Sequence, residues 1–441
     1  MTRIAYIVTR FPKLSETFVF REVLELRKQG AEVACFSIHS PLPEPLPSEA
    51  RELRAETTYL WPPHPLRFAA ALLKFAATTP VRFFSTLKLF WQEAPRGLAG
   101  KKRFVLHFLE GAYLAHLCQR RGIQYLHAHF ANGPSSVAMA ASALSGIPFG
   151  FTSHAQDIYS DPLMLELKIA NADLPLTISQ YNRDYLVENY ALENPGKVRV
   201  HRVAVDLEYF QRDQFSAPNE DTPVILAIGR LVAKKGFIHL IRACERLARR
   251  GINFRCEIVG EGPERAALQE AIVAGKLEDK IFLLGAQTDV KKYLQRANVF
   301  VMPCVRDASG DRDGIPTTLM EAMAMEVPVI STDISGIPEL VQHEHTGLLT
   351  PTENVEALTQ AICRLLVDEK LRRELATAGR RHVELFHNIE TNAERLLQSI
   401  ARRVSARDDE ATNLTEETPL LTRVSKWTNK MLSGNTQLLF A

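Results

Sequence analysis

Between Pro223 and Thr332 the chain alternates short runs of branched apolar residues with longer amphipathic patterns. The runs are PVILAIG (223–229), FRCEIVG (254–260), KIFLLG (280–285), NVFVMP (298–303) and VPVIST (327–332), each bounded by Gly, Pro or polar residues. Runs this short and this uniformly apolar predict strands buried on both faces of a parallel sheet. FIHLIRACERLARR (237–250), PERAALQEAIVAG (263–275) and DVKKYLQRA (289–297) lie between them and carry helical spacing. Parallel strands need crossover connections, so strand, helix and strand in repetition predict a doubly wound α/β domain.

The first half repeats the plan less regularly. IAYIV (4–8), EVACFSI (32–38), QYLHAHF (124–130), PFGFTS (148–153) and DLPLTIS (173–179) are its strand candidates. SETFVFREVLELRKQG (15–30) predicts an amphipathic helix with Ser15 as N-cap and Gly30 as its stop. At 441 residues the chain exceeds one ordinary core. Two Rossmann-like lobes facing across a cleft are therefore expected, residues 1–205 and 206–385, with the junction in the polar stretch 206–221. A helix over 386–404 is expected to cross back to the first lobe. From Ser405 to Ala441 no period is sustained, which predicts an irregular tail.

Composition closes off other classes. Hydrophobic residues make up 46% and charged residues 24%, the balance of a globular protein. A formal charge of +2 leaves any basic site local, and no nucleic-acid partner is expected. Six cysteines without a CxxC pair argue for reduced thiols in a cytoplasmic protein and against zinc. The opening apolar run is too short for a signal peptide, and no later run reaches the length of a spanning helix. Within 64–120 a helical excursion interrupts the first lobe. Its stretch from Arg67 to Arg103 holds eight Lys/Arg and one acid, Glu93, among Phe68, Phe75, Phe83, Phe84, Phe90 and Trp91. Two readings stand: aromatics packed into the lobe, or a basic and aromatic face that meets an anionic membrane surface.

Two loops carry chemistry. GRLVAKKG (229–236) follows the first strand of the second lobe and opens a helix, the setting in which free N–H groups face an anion. It is neither a dinucleotide fingerprint nor a P-loop, yet Arg230 and Lys235 are placed to clamp a diphosphate. DGIPTTLMEAMAME, from Asp313 on, puts a Gly314-Ile315-Pro316 turn before a helix, with Pro316 suited to the first helical position. Asp313 and Glu321 can then reach different parts of one elongated ligand.

GRLVAKKG (229–236), VGEGPER (259–265), DGIPTTLMEAMA (313–324), PVIST (328–332) and SGIPELVQHEHTGLL (335–349), in this order, resemble the nucleotide-sugar lobe of glycosyltransferase family 4, retaining enzymes of the GT-B fold. RFPKLSETFVFREV (10–23) resembles the exopolysaccharide and colanic-acid type. The resemblance implies that Arg230 and Lys235 hold the donor diphosphate, that Glu321 binds the ribose hydroxyls, and that the backbone of Gly314, Ile315, Pro316 and Thr317 meets phosphate and sugar. Asp313 stands where the family usually has Glu, in contact with the transferred sugar. FTSHAQDIY (151–159) matches the family's Thr-x-His-Gly-x-Asp segment with Ala155 in place of Gly, which makes His154 the sugar-facing histidine. His129, Asp157 and Glu16 are expected on the acceptor side, while a lone histidine such as His127 is more often structural.

The implied reaction transfers a sugar from a UDP- or GDP-sugar to a glycan, in particular a lipid-linked oligosaccharide at the inner membrane face. In retaining GT-B enzymes the acceptor hydroxyl attacks from the leaving group's own face and the phosphate takes its proton. Protein cations then replace a metal, so Asp311-Arg312-Asp313 is read as no DxD metal motif, and neither a cofactor nor an essential metal is expected. Two rivals stand beside this: a GT-B nucleotide-sugar epimerase, and a non-catalytic nucleotide-sugar-binding subunit of a polysaccharide assembly complex.

Overall fold

The structure is a computed structural model that describes residues 2–212 and 222–413. Two parallel sheets organise it. The first contains β1 (Arg3–Arg10), β2 (Glu32–His39), β3 (Thr58–Trp61), β4 (Tyr125–His129), β5 (Phe149–Ser153), β6 (Leu174–Thr177) and β7 (Arg199–Val200), in the order β3-β2-β1-β4-β5-β6-β7. The second contains β8 (Val224–Ile228), β9 (Arg255–Val259), β10 (Ile281–Leu283), β11 (Val299–Met302), β12 (Val329–Thr332) and β13 (Leu348–Thr350), in the order β10-β9-β8-β11-β12-β13. In each, the order reverses beside the first strand, and the switch point leaves a crevice at the strands' carboxyl ends.

The central strands coincide with the apolar runs because both of their faces are covered. Every residue of β4, β5, β8 and β11 is buried. Edge strands β3, β7 and β13 have no such run; they are short and take their pairing from one neighbour. The helix after β1 spans Thr17–Lys28 and follows a 3-10 turn at Leu14–Glu16. Ser15 therefore lies inside that turn and does not cap the helix, a correction to the expected start. Gly30 does stop it, with φ +92°.

The final helix, Ile389–Asn413, returns to the first lobe: Ala393, Leu396 and Ile400 pack with Ile4, Tyr6, Phe20 and Leu26. Arg407 holds Asp173 at 3.2 Å from the far end of that crossing. The helix thus continues beyond Ser405, where an irregular tail was expected; residues 414–441 lie outside the described residues, as does 213–221, most of the expected junction.

The excursion forms helices Pro65–Thr78, Pro80–Glu93 and Leu98–Arg120. Their aromatics divide. Phe75, Phe83 and Phe90 are buried in the first-lobe core and Phe68 packs edge-on to Tyr113. Phe84 and Trp91 are 59% and 51% exposed, and Leu66, Leu73, Val81 and Leu98 are exposed with them. Among the described residues no helix is long and apolar enough to cross a membrane.

Candidate functional site

The two loops expected to bind the donor meet at the carboxyl ends of β8 and β11. Gly236 makes this approach possible: it sits at φ +67°, and a Cβ there would lie 1.9 Å from the Pro303 carbonyl oxygen. Lys235 is thereby directed at the 311–314 loop. Its Nζ lies 2.7 Å from Asp313 Oδ2 and is largely buried. Lys234 stands beside it, 2.8 Å from Asp311 and 3.5 Å from Asp313. Burial opposes charge on Asp313, but the two lysines win and hold its carboxyl at about 2. Lys235 likewise loses from burial and gains more from Asp313, ending above its ordinary value. Arg230 is exposed and makes no ion pair among the described residues.

Arg312, between the two aspartates, points the other way. Its guanidinium lies 4.1 Å from the Tyr159 ring centre, with Tyr181 and Tyr185 at 5.8 and 5.4 Å, and it donates to Tyr181 Oη at 3.2 Å. All three tyrosines belong to the first lobe. Glu339 reinforces the junction by accepting the backbone N–H groups of Gln180 and Tyr181 at 3.0 and 2.8 Å. Thus each residue of the Asp-Arg-Asp triplet already has a protein partner. Two lysine-paired carboxylates are a poor offer to a cation, since binding would have to displace both ammonium groups.

Gly314 closes the cleft. A Cβ there would lie 2.9 Å from Ile178 Cδ1 and 3.3 Å from the His154 carbonyl oxygen, so the Gly314-Ile315-Pro316 turn touches the first lobe at the expected histidine. Pro316, expected at the first helical position, instead occupies the N-cap of the helix Thr317–Ala324. Ile315 is buried, and Thr317 is half-buried at the helix start. Thr318 Oγ1 and Ser335 Oγ are buried without a partner among the described residues. Glu321 is buried one turn further on; burial raises its carboxyl, and the Arg21 charge from the first lobe opposes that. Arg21 itself stacks over Tyr209 at 4.4 Å.

On the first-lobe side the histidines are linked rather than independent. His154 is clamped between Phe18 and Phe130, with ring centres 4.9 and 4.6 Å away. Its Nε2 lies 3.2 Å from His129 Nδ1, and His129 Nε2 lies 3.0 Å from Glu22 Oε1. Glu22 also accepts from Tyr6 at 2.5 Å and meets His201 Nε2 at 3.2 Å. Burial would raise the Glu22 carboxyl, but the hydrogen bonds from His129 and His201 hold it well below the carboxylate range. Burial pushes His154 well below its ordinary value and His127 down to about 3, so both are neutral.

Asp157 takes a different role from the acceptor contact expected of it. It is fully buried and accepts backbone N–H groups from Ala131, His154 and Ala155 at 2.5, 3.0 and 2.9 Å, which fixes the loop that carries His154. Glu16 pairs with Lys13 at 2.7 Å and stands apart from the histidine cluster. The carboxylate that enters the site from this segment is Glu22, which sequence reasoning missed although it lies one helical turn after Phe18 on the same face. His201, Lys234 and Arg312 were missed as well, and only Lys234 had a sequence signal, its place beside Lys235. Glu22, His127 and His129 bring ligand-type atoms within 4.8 Å of one another. Glu22 and His129 already use both of their polar side-chain atoms on protein partners, so an ion here would have to break that network.

Comparison with known proteins agrees with this architecture. Residues 210–382 match the model for glycosyl transferases group 1, and residues 89–209 match that for glycosyltransferase family 4. The amylovoran biosynthesis glycosyltransferase AmsK of Erwinia amylovora is 30% identical over 405 residues, 88% of this chain and 96% of that protein. WcaL of Escherichia coli, a protein named for colanic acid biosynthesis, is 30% identical over 82% of this chain and 89% of its own. Among solved structures, Anabaena HepE in complex with UDP superposes with TM-score 0.68 at 13% identity, covering 91% of this chain and all of that one.

Proposed function

Since the chain belongs to glycosyltransferase family 4, in its exopolysaccharide and colanic-acid branch and with the GT-B fold, we propose that it transfers a sugar from a nucleotide-sugar to a growing surface or exopolysaccharide glycan with retention of configuration. The carrying observation is the meeting of Lys235, Asp313 and Gly314 from the second lobe with His154 from the first. Transferase relatives matched over nearly their whole length weigh against the epimerase and the non-catalytic subunit.

In this reading Lys235 and Arg230 neutralise the diphosphate, and Thr317 at the helix start adds backbone donors. Glu321 accepts from the ribose hydroxyls, which a buried, acceptor-rich carboxylate does well. Asp313 and His154 hold the transferred sugar. As the sugar–phosphate bond breaks, negative charge grows on the leaving diphosphate, where fixed cations stabilise it without reorganisation. The acceptor hydroxyl attacks from the same face and its proton passes to the departing phosphate oxygen, so no separate protein base is used. Asp311 and Asp313 are committed to lysines, which supports catalysis without an essential metal. HepE is described with UDP and UDP-glucose, and a mycobacterial relative is named as a GDP-mannose-dependent phosphatidylinositol monomannoside mannosyltransferase; UDP- and GDP-sugars are therefore both candidate donors.

A lipid-linked acceptor suits the outer face of the excursion. Val81, Phe84 and Trp91 share one face of their helix at spacings of three and seven with exposed Lys88 among them, and Arg96 and Lys102 are exposed further along the chain. Such a face fits the headgroup region of an anionic bilayer. The deciding experiment is a thermal-shift screen against UDP-, GDP- and ADP-sugars with EDTA present. A donor at about 100 times its dissociation constant stabilises by roughly 2.7 kcal/mol. A selective shift names the nucleotide; no shift with any donor, in the presence of acceptor lipid as well, sinks the assignment.

A further inference from the structure

The histidine cluster contains a directional chain from a buried carboxylate to the cleft. An ionised carboxylate only accepts hydrogen bonds. Glu22 therefore requires its three partners, Tyr6 Oη, His129 Nε2 and His201 Nε2, to donate. Glu22 places one His129 proton on Nε2, and in the singly protonated ring Nδ1 is bare. The contact at 3.2 Å then requires His154 Nε2 to donate, and the remaining His154 nitrogen, Nδ1, becomes an acceptor. That Nδ1 makes no hydrogen bond among the described residues, and the ring is fixed by Phe18 and Phe130. The His154 carbonyl is fixed too: it accepts from Asn182 Nδ2, while Asn182 Oδ1 accepts from the hydroxyl of Tyr159 in the Arg312 box.

We propose that Glu22 is a positioning residue which, through His129, sets the tautomer of His154 so that its Nδ1 accepts a hydroxyl of the transferred sugar. The role of the second ring nitrogen in choosing a histidine's tautomer is general; here it passes through two rings in series. The neutral state of His154 agrees with it, because an imidazolium would present a donor instead. This inference rests on the donor-site reading above and assigns a specificity device to it: a sugar with a hydroxyl to donate at that position is favoured over its deoxy analogue.

The test has two arms on the full chain. Long-range proton–nitrogen spectra of histidine-labelled wild-type protein, assigned by single substitutions, read the tautomers directly. His129 and His154 both protonated on Nε2 alone is the expected result; His129 protonated on Nδ1, or on both nitrogens, overturns the chain. In the second arm Glu22→Gln lowers kcat by about tenfold or more, the worth of a misdirected hydrogen bond, with donor KM nearly unchanged, and Glu22→Asp restores part of the loss. Unchanged kcat with unchanged His154 resonances overturns the proposal, as does a loss traced wholly to weaker donor binding or unfolding. Should Glu22→Gln not fold, His129→Asn carries the same comparison. Failure of the donor-site reading shows differently: no sugar nucleotide binds wild type while the tautomers stand as expected.

Discussion

Lys235 Nζ and Asp313 Oδ2 form a 2.7 Å ion pair between the first and fourth crossover regions of the second lobe. In the proposed function the pair joins the group assigned to the diphosphate to the group assigned to the sugar. Removing the cation leaves Asp313 with Lys234 at 3.5 Å and the Cys304 thiol at 3.4 Å. Lys235→Ala is expected to lower kcat/KM by about 100-fold to 1,000-fold and to abolish the donor-induced rise in melting temperature. Normal turnover by this variant, measured with the donor found in the screen, would remove Lys235 from the site.

The same pair has a pH signature. Asp313 ionises at about 2 in the folded chain against an ordinary 3.8, so the folded state binds fewer protons there. Its stabilisation is present above pH 4 and is lost as pH falls from about 4 to 2. Chemical denaturation at pH 5 and pH 3 should show Asp313→Asn costing more at the higher pH. An equal cost at both would contradict the ion pair.

Glu110 works in the opposite direction. It is 2% exposed, neither carboxyl oxygen has a partner among the described residues, and burial pushes its carboxyl up to about 8. The acid is therefore protonated when folded and ionised when unfolded from about pH 4.5 to 8, which erodes stability as pH rises. Glu110→Gln should be close to neutral at pH 5 and increasingly stabilising toward pH 9, by up to about 4 kcal/mol more than at pH 5. Melting curves at the two pH values decide it, and a gain that does not grow with pH counts against it.

Arg312 ties the lobes through an aromatic box whose cation–π contacts are each worth about 0.5–2 kcal/mol. Arg312→Ala is expected to loosen closure: donor KM rises several-fold, and small-angle scattering with donor present shows a larger radius than wild type. Arg312→Lys recovers little, because an ammonium lacks the planar stack and the fixed bond to Tyr181. Identical scattering profiles for wild type and Arg312→Ala would place closure elsewhere.

The outward aromatics make a separate prediction. Phe84→Glu with Trp91→Glu should abolish flotation with vesicles containing anionic lipid while leaving the melting temperature within a few degrees, since both side chains are already more than half exposed. Wild-type flotation should weaken with salt, as screening reaches the exposed lysines and arginines. Wild type that fails to float at any ionic strength returns this face to plain solvent.

The sequence by itself determined the two doubly wound sheets and the loops that carry Arg230, Lys235, Asp313 and Glu321. Central strands are covered on both faces, so their residues are largely apolar, and loops at a strand-to-helix turn keep their Gly and Pro because backbone geometry requires them. The edge strands β3, β7 and β13 were not legible, because pairing with a neighbour, not apolar content, makes them strands. Nor was the division of the excursion's aromatics, since Phe83 and Phe84 are adjacent in sequence and only packing chose which turned inward. Tertiary structure alone decided that Glu22, not Glu16, joins the histidines, that Asp157 supports a loop, and that Arg312 leaves its flanking aspartates for the other lobe. Each is a contact between residues far apart in the chain, and such contacts depend on which strand ends the fold brings to one cleft.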